Sequence, residues 1–218
     1  MSLKAAIIPV TPLEQNCCLI WNDETMLGAV TDPGGDLDKI EDALKQTGVK
    51  LEKVLLTHGH LDHASAAGEL ARKHGVPIEG PHKDDQFLID DLPAQGAKYG
   101  MPTYDPFLPD RWLEDEDTVE LAGMTLRVRH CPGHTPGHVV FIHEPSKLAI
   151  VGDVIFQGSI GRTDFPRGDH EQLISSIRER LFPLGGEIAF VPGHGPMSTF
   201  EVEQKTNPFC SDMAVGAA

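Results

Sequence analysis

The 218 residues are enough to bury a sizeable core, and without a Pro/Ser-rich linker, low-complexity tract or fixed-period repeat they predict one domain over 1–218. A formal charge of −15, from 33 acidic against 18 basic residues, argues against a nucleic-acid partner and against an anionic membrane surface. The longest apolar runs are too short to span a bilayer, and "MSLKAAIIPVTPLEQN" lacks the long apolar segment of a secretion signal, so the expected location is the cytoplasm.

Along the chain, "AAIIPV" and "CCLIW" read as strands, followed by a helix in "DLDKIEDALKQTG" (36–48), where Leu37, Ile40 and Leu44 share a face and Gly48 is the stop. "KVLLT" is strand-like and "HASAAGELARKHG" (63–75) helical. Residues 81–111, rich in Pro, Gly and Asp, read as a long, partly irregular connection able to lie over a cleft. "EDEDTVE" (114–120) reads as a solvated loop. Strand-like "TLRVR", "HVVFI" and "LAIV" follow, then a helix in "EQLISSIRERLF" with Leu173, Ile177 and Leu181 at helical spacing, then "IAFV". Such alternation predicts a layered α/β fold. Cys17, Cys18, Cys131 and Cys210 form no CxxC pair and read as small buried apolar groups in a reducing compartment.

The chemistry concentrates where apolar runs stop. "KVLLT" delivers His58, "TLRVRHCPG" His134, "LAIVG" Asp153 and "IAFVPG" His194. Loops beyond strand ends are where α/β folds collect ligands. The cluster "HGHLDH" adds His60, Asp62 and His63. By itself Asp62 would be an ordinary helix N-cap. Three imidazoles packed so closely would repel when protonated, which favours a metal. A catalytic zinc takes about three protein ligands. The set His58, His60, Asp62, His63, His134, Asp153 and His194 therefore suits two ions, provided one carboxylate bridges. Two metals about 3.5–4 Å apart can share a hydroxide of pKa near 7, a nucleophile at neutral pH. His74, His82, His130, His143 and His170 read as ordinary histidines, and His138 as a support behind the ligands.

These motifs resemble the metallo-β-lactamase superfamily. "THGHLDH" matches its T-H-x-H-x-D-H motif, and "PGHTPGH", "VGDVIF" and "VPGHG" match its later ligand segments in order. The resemblance covers essentially the whole chain and implies the αβ/βα sandwich, two mixed sheets face to face with helices outside. It also implies that His58, His60 and His134 hold one metal, that Asp62, His63 and His194 hold another, and that Asp153 bridges. Within the superfamily the chain is most similar to a short bacterial type of glyoxalase II-like thioesterase, on "PLEQNCCLI", "GSIGRTDFPRGD" and "PGHGPMSTFEVEQKTNPF".

That resemblance implies two divalent ions, zinc first with iron or manganese as alternatives. It implies hydrolysis of a small-molecule thioester such as S-lactoylglutathione by a metal-bridging hydroxide, in a monomer or small homo-oligomer. Asp62 would orient the nucleophile and accept its proton. Arg162 is the candidate to hold a substrate carboxylate; an ion pair with Asp164 is the competing reading. With 24 residues after His194 there is no room for the C-terminal helical domain of full-length glyoxalase II, and Pro196 stands where that enzyme has a tyrosine. The main alternative is a persulfide dioxygenase with one iron on His58, His134 and Asp153, though "GHGPMST" has the hydrolase-like form. A lactonase using Tyr99 or Tyr104 is the third reading.

Overall fold

A computed structural model describes residues 2–102 and 104–216. In its first half, β1 (Leu3–Val10), β2 (Gln15–Asn22) and β3 (Leu27–Thr31) pair antiparallel. Helix α1 (Leu37–Thr47) then returns the chain to β4 (Lys50–Leu55), parallel to β3. Helices α2 (Leu61–Ala64) and α3 (Ala67–His74) lead to β5 (Ile78–Glu79), parallel to β4, giving the order β1-β2-β3-β4-β5.

Strand periodicity explains why β2 reads as one apolar run. Cys17 and Leu19 face a core shared with Ile40, Leu44 and Leu70 of the helices, whereas Cys18 and Ile20 face one shared with Leu126, Val128 and Phe141. Those last residues belong to a second sheet, so the two sheets pack face to face.

That sheet contains β6 (Thr118–Leu121), β7 (Met124–His130), β8 (Val139–His143) and β9 (Leu148–Gly152), joined antiparallel. A short hairpin, β10 (Ile155–Phe156) with β11 (Ser159–Ile160), precedes α6 (His170–Ser175). Then β12 (Ala189–Pro192) pairs parallel to β9 and carries β13 (Ser198–Thr199) on its far side. The outer face of this sheet packs Val140, Ile142 and Val151 against Leu173, Ile177 and Leu181. The layers are thus helix, sheet, sheet, helix, the expected αβ/βα sandwich.

Direction positions the functional edge. Two antiparallel steps make β7 codirectional with β9, and β12 is parallel to β9. All three therefore end at the same edge. The Val139 N–H donates to Thr57 O at 2.8 Å, tying the end of the β4 segment to that edge from the other sheet.

Two local readings need correction and a third needs an addition. The helix expected over 63–75 starts earlier and is broken after Ala64, because the Ala66 N–H turns out to Pro33 O at 3.0 Å instead of continuing the ladder. The connection over 81–111 is partly irregular as expected, but it also holds two helices that its weak periodicity does not signal: α4 (Gln86–Asp90) and α5 (Leu92–Tyr99) bury Leu88, Ile89 and Leu92. "EDEDTVE" is only half loop, since Thr118–Leu121 is β6, and Asp115, Glu116 and Asp117 pair with Arg129 and Arg180, Arg127, and Arg111. The helix from His170 also widens, with a π turn at Ser176–Leu181, although its buried face is as expected. All four cysteines are free and buried.

Candidate metal centre and hydrolase site

The chain brings the seven sequence-picked residues to one edge, in two donor sets. His58, His60 and His134 place ring nitrogens within 4.8 Å of one another, and Asp62, His63 and His194 do the same with a carboxylate oxygen among them. In the first set His58 Nε2 and His134 Nε2 approach His60 Nδ1 at 3.1 and 2.9 Å. In the second, His194 Nε2 lies 3.1 Å from Asp62 Oδ2. Asp153 lies between them, 3.5 Å from His134 Nε2, 3.3 Å from His63 Nε2 and 3.7 Å from His194 Nε2. Asp62 is not the N-cap: it sits inside α2, and His60 is the cap residue, without a side-chain capping bond.

The far nitrogens of these rings are held by the fold. Thr57 Oγ1 donates to Asp32 Oδ2 at 2.6 Å, so at 3.1 Å it accepts from His58 Nδ1. His63 Nδ1 donates to Asp32 Oδ2 at 3.0 Å, His134 Nδ1 to Arg162 O at 2.7 Å and His194 Nδ1 to Leu13 O at 3.1 Å. Each bond leaves Nε2 facing the centre, the arrangement that fixes a histidine ligand's tautomer and ring plane. His138 supports the centre as expected: its Nε2 accepts the Asp153 N–H at 3.0 Å, and its ring stacks on His58 at 4.6 Å. The remaining histidines are ordinary; His74 pairs with Glu41, and His82 pairs with Glu114.

Two glycines make room for Asp153. A methyl at Gly193 would overlap Asp153 Oδ1 and lie 2.7 Å from His63 Cε1, and one at Gly161 would overlap the Asp153 carbonyl oxygen. A larger residue at Gly193 would displace the carboxylate, and one at Gly161 the Asp153 backbone.

Electrostatics divides the two sets. Burial and the neighbouring rings push His58 well below the ordinary histidine range, burial and His134 bring His60 down to about 3, and burial lowers His134. These rings are neutral at pH 7, with lone pairs free to donate. In the other set burial alone would lower His63, but the Asp153 and Asp62 carboxylates outweigh it and hold His63 well above its usual range. His194 rises likewise through its bond to Asp62, against burial. Asp153 is held far below the carboxylate range by His63 despite complete burial. Positive charge is in demand here. His63 Nε2 and Asp153 Oδ1 are both buried without a hydrogen-bond partner, so the donor set fits a bound cation.

Arg162 donates to both Asp164 oxygens, at 2.7 and 2.6 Å, and its guanidinium lies over the Phe165 ring at 4.4 Å. The Asp164 pair is therefore formed, while the Arg162 backbone carbonyl holds His134. Tyr99 is exposed on α5. The sequence reading missed Asp32, buried, with φ 51° and accepting from Thr57 and His63. The signal was present: "GAVT" is another apolar run that stops at a metal-type side chain.

The metallo-beta-lactamase superfamily model matches residues 10–194, the span holding every one of these groups. The chain belongs to this superfamily. Within the metallo-beta-lactamase superfamily it is 49% identical over 208 residues to the hydroxyacylglutathione hydrolase GloC of Haemophilus influenzae, covering 95% of this chain and 98% of that one. Among solved structures, the BLEG-1 B3 metallo-beta-lactamase superposes with a TM-score of 0.88 at 32% identity, over 95% of this chain and 99% of that one. TTHA1623, crystallised in a di-iron-bound form, gives 0.84 at 34%, over 94% and 99%. The chain is a metal-binding metallo-hydrolase of the short, glyoxalase II-like type. Among the described residues no helix is long and apolar enough to cross a membrane.

Proposed function

We propose that the protein hydrolyses hydroxyacyl-glutathione thioesters, S-lactoylglutathione first among them, at a site for two divalent ions, zinc in the first instance. The observation that carries this reading is the pair of donor sets with Asp153 between them, in a chain 49% identical to a protein named for that activity. His58, His60 and His134 would hold one ion, Asp62, His63 and His194 the other, and Asp153 both. Bound ions would supply an activated hydroxide at neutral pH and polarise the thioester carbonyl.

The chain's own groups do the rest. Asp62 Oδ2, oriented by His194, accepts the proton of the attacking water. His58, His63 and His134 stay in one tautomer through Thr57, Asp32 and the Arg162 carbonyl, so the donors need no rearrangement during turnover. A thiolate leaves readily, and no strong general acid is required. Arg162 is the proposed contact for a substrate carboxylate, by exchanging its exposed partner Asp164 for it. The expected location is the cytoplasm, as a monomer or small oligomer, with no nucleic-acid partner.

The test is the initial rate of S-lactoylglutathione hydrolysis by purified protein, normalised to bound metal. Fast, saturable turnover at two ions per chain is expected. Oxygen uptake with glutathione persulfide in place of hydrolysis would refute it and leave the dioxygenase reading standing.

A further inference from the structure

The fully buried carboxylate of Asp85, at the N-terminal end of α4, contacts no donor of either set. We propose that Asp85 is a positioning residue that sets the spacing of the His58–His60–His134 donor set. The inference rests on the two-ion reading above.

Its bonds all run to the loops that carry those rings. Asp85 Oδ2 accepts the Gly59 N–H at 2.9 Å, between His58 and His60. The same oxygen accepts the Thr135 hydroxyl at 2.8 Å, next to His134. Oδ1 accepts the Gly137 N–H at 2.6 Å, next to His138, which in turn receives the Asp153 N–H. One carboxylate thus ties the loop from the first sheet to the loop from the second. A backbone ring reinforces the tie: Asp85 N–H donates to His82 O at 3.1 Å, and His82 N–H donates to Gly137 O at 3.0 Å.

The neighbours are shaped for this approach. A methyl at Gly137 would lie 2.7 Å from both Asp85 Cγ and Oδ1, and one at Gly59 would lie 2.9 Å from Leu88 Cβ. A spacer with no geometric duty would not need a charged group in an apolar setting, since an uncharged buried side chain costs less. An ionised carboxylate is acceptor-only and can serve three donors at once, which neither Asn nor Ser can do.

The experiment titrates metal-free protein with Co(II) alone, following visible absorption, in the parent, Asp85→Asn, Thr135→Val and Thr135→Ser. Repeating it with His194→Ala, which removes one donor of the second set, assigns each step. Asp85→Asn turns an amide donor toward at least one of the three donors. Cobalt affinity at the histidine-only set is expected to fall about 10–100-fold, with the second set unchanged within about threefold. Thr135→Val should fall in between and Thr135→Ser should restore the parent affinity. If Asp85→Asn does not fold, the threonine pair decides. Parent-like affinity in Asp85→Asn and Thr135→Val overturns the proposal. So does equal weakening of both sets in proportion to unfolded protein by circular dichroism. Uptake of one cobalt by the parent would instead defeat the two-ion reading, and the variants would still be compared on that one ion.

Discussion

Replacing Gly193 by alanine separates space from backbone strain at the centre. The added methyl overlaps Asp153 Oδ1 and lies 2.7 Å from His63 Cε1 and 3.2 Å from Asp153 Cγ. Ordinary carbon–carbon contact is about 3.5–4.0 Å, so ring and carboxylate must retreat by roughly 1 Å. Metal–ligand distances tolerate only about 0.2 Å. Overpacking of this kind costs about 1–3 kcal/mol, which leaves most domains folded. Gly193 is not among the glycines with positive φ, so alanine adopts its backbone freely. The expected result is a folded protein with bound metal falling from two ions per chain to one or fewer, by elemental analysis, and at least about 100-fold lower turnover, the usual effect of ångström-scale misplacement. Gly48→Ala is the control: at the end of α1 its φ is 75° and a methyl meets nothing within 4 Å. It should lower stability by about 1 kcal/mol through strain while keeping both ions. Two tightly held ions with parental turnover in Gly193→Ala would refute the assignment of Asp153 as the shared ligand.

Asp153→Ala should abolish turnover and leave fewer than two ions, again read by elemental analysis; two retained ions with normal turnover would contradict the bridging role. Burial raises Asp85 from 3.8 to about 6, so the folded state binds its proton more tightly than the unfolded state does. The stabilisation this gives is complete below about pH 4 and is lost as pH rises through about 6, a change on the order of 3 kcal/mol. Urea melts of metal-free parent should show that decline relative to Asp85→Asn; parallel profiles would count against it. Burial pushes the Cys18, Cys131 and Cys210 thiols up to about 12, so iodoacetamide at pH 8 should label them only after unfolding. Rapid native labelling by mass spectrometry would count against that burial. Asp32→Asn should weaken metal binding about 10–100-fold, because it replaces an acceptor from both His63 and Thr57 with an amide; unchanged affinity would show that those bonds are incidental.

Much of the architecture was legible because strand ends and metal-type side chains coincide in the sequence. His58, His134, Asp153 and His194 each follow an apolar run, and the common direction of β7, β9 and β12 brings the last three to one edge. Asp32 obeys the same pattern, but a single aspartate before proline reads as turn chemistry until its partners are seen. Asp85 had no such signal. It lies where Asp90, Asp91 and Pro93 break the apolar spacing, and α4 and α5 depend on packing of Leu88, Ile89 and Leu92 more than on local periodicity. The break after Ala64 was hidden for a related reason: the Pro33 carbonyl that takes the Ala66 N–H comes from a different loop. Tertiary partners decide such points.

Each donor set draws two side chains from the segment after β4, its loop for one set and α2 for the other, and one from a loop of the second sheet: His58 and His60 with His134, and Asp62 and His63 with His194. Neither of these two sets is supplied by one half of the chain alone. If the proposed ions bind there, they would also rivet the two sheets across their seam, in addition to the apolar residues that fill it. Metal starvation would then loosen the protein from that edge inward, and susceptibility to proteolysis in the loops around His58 and His134 becomes a gauge of how much metal the cell supplies.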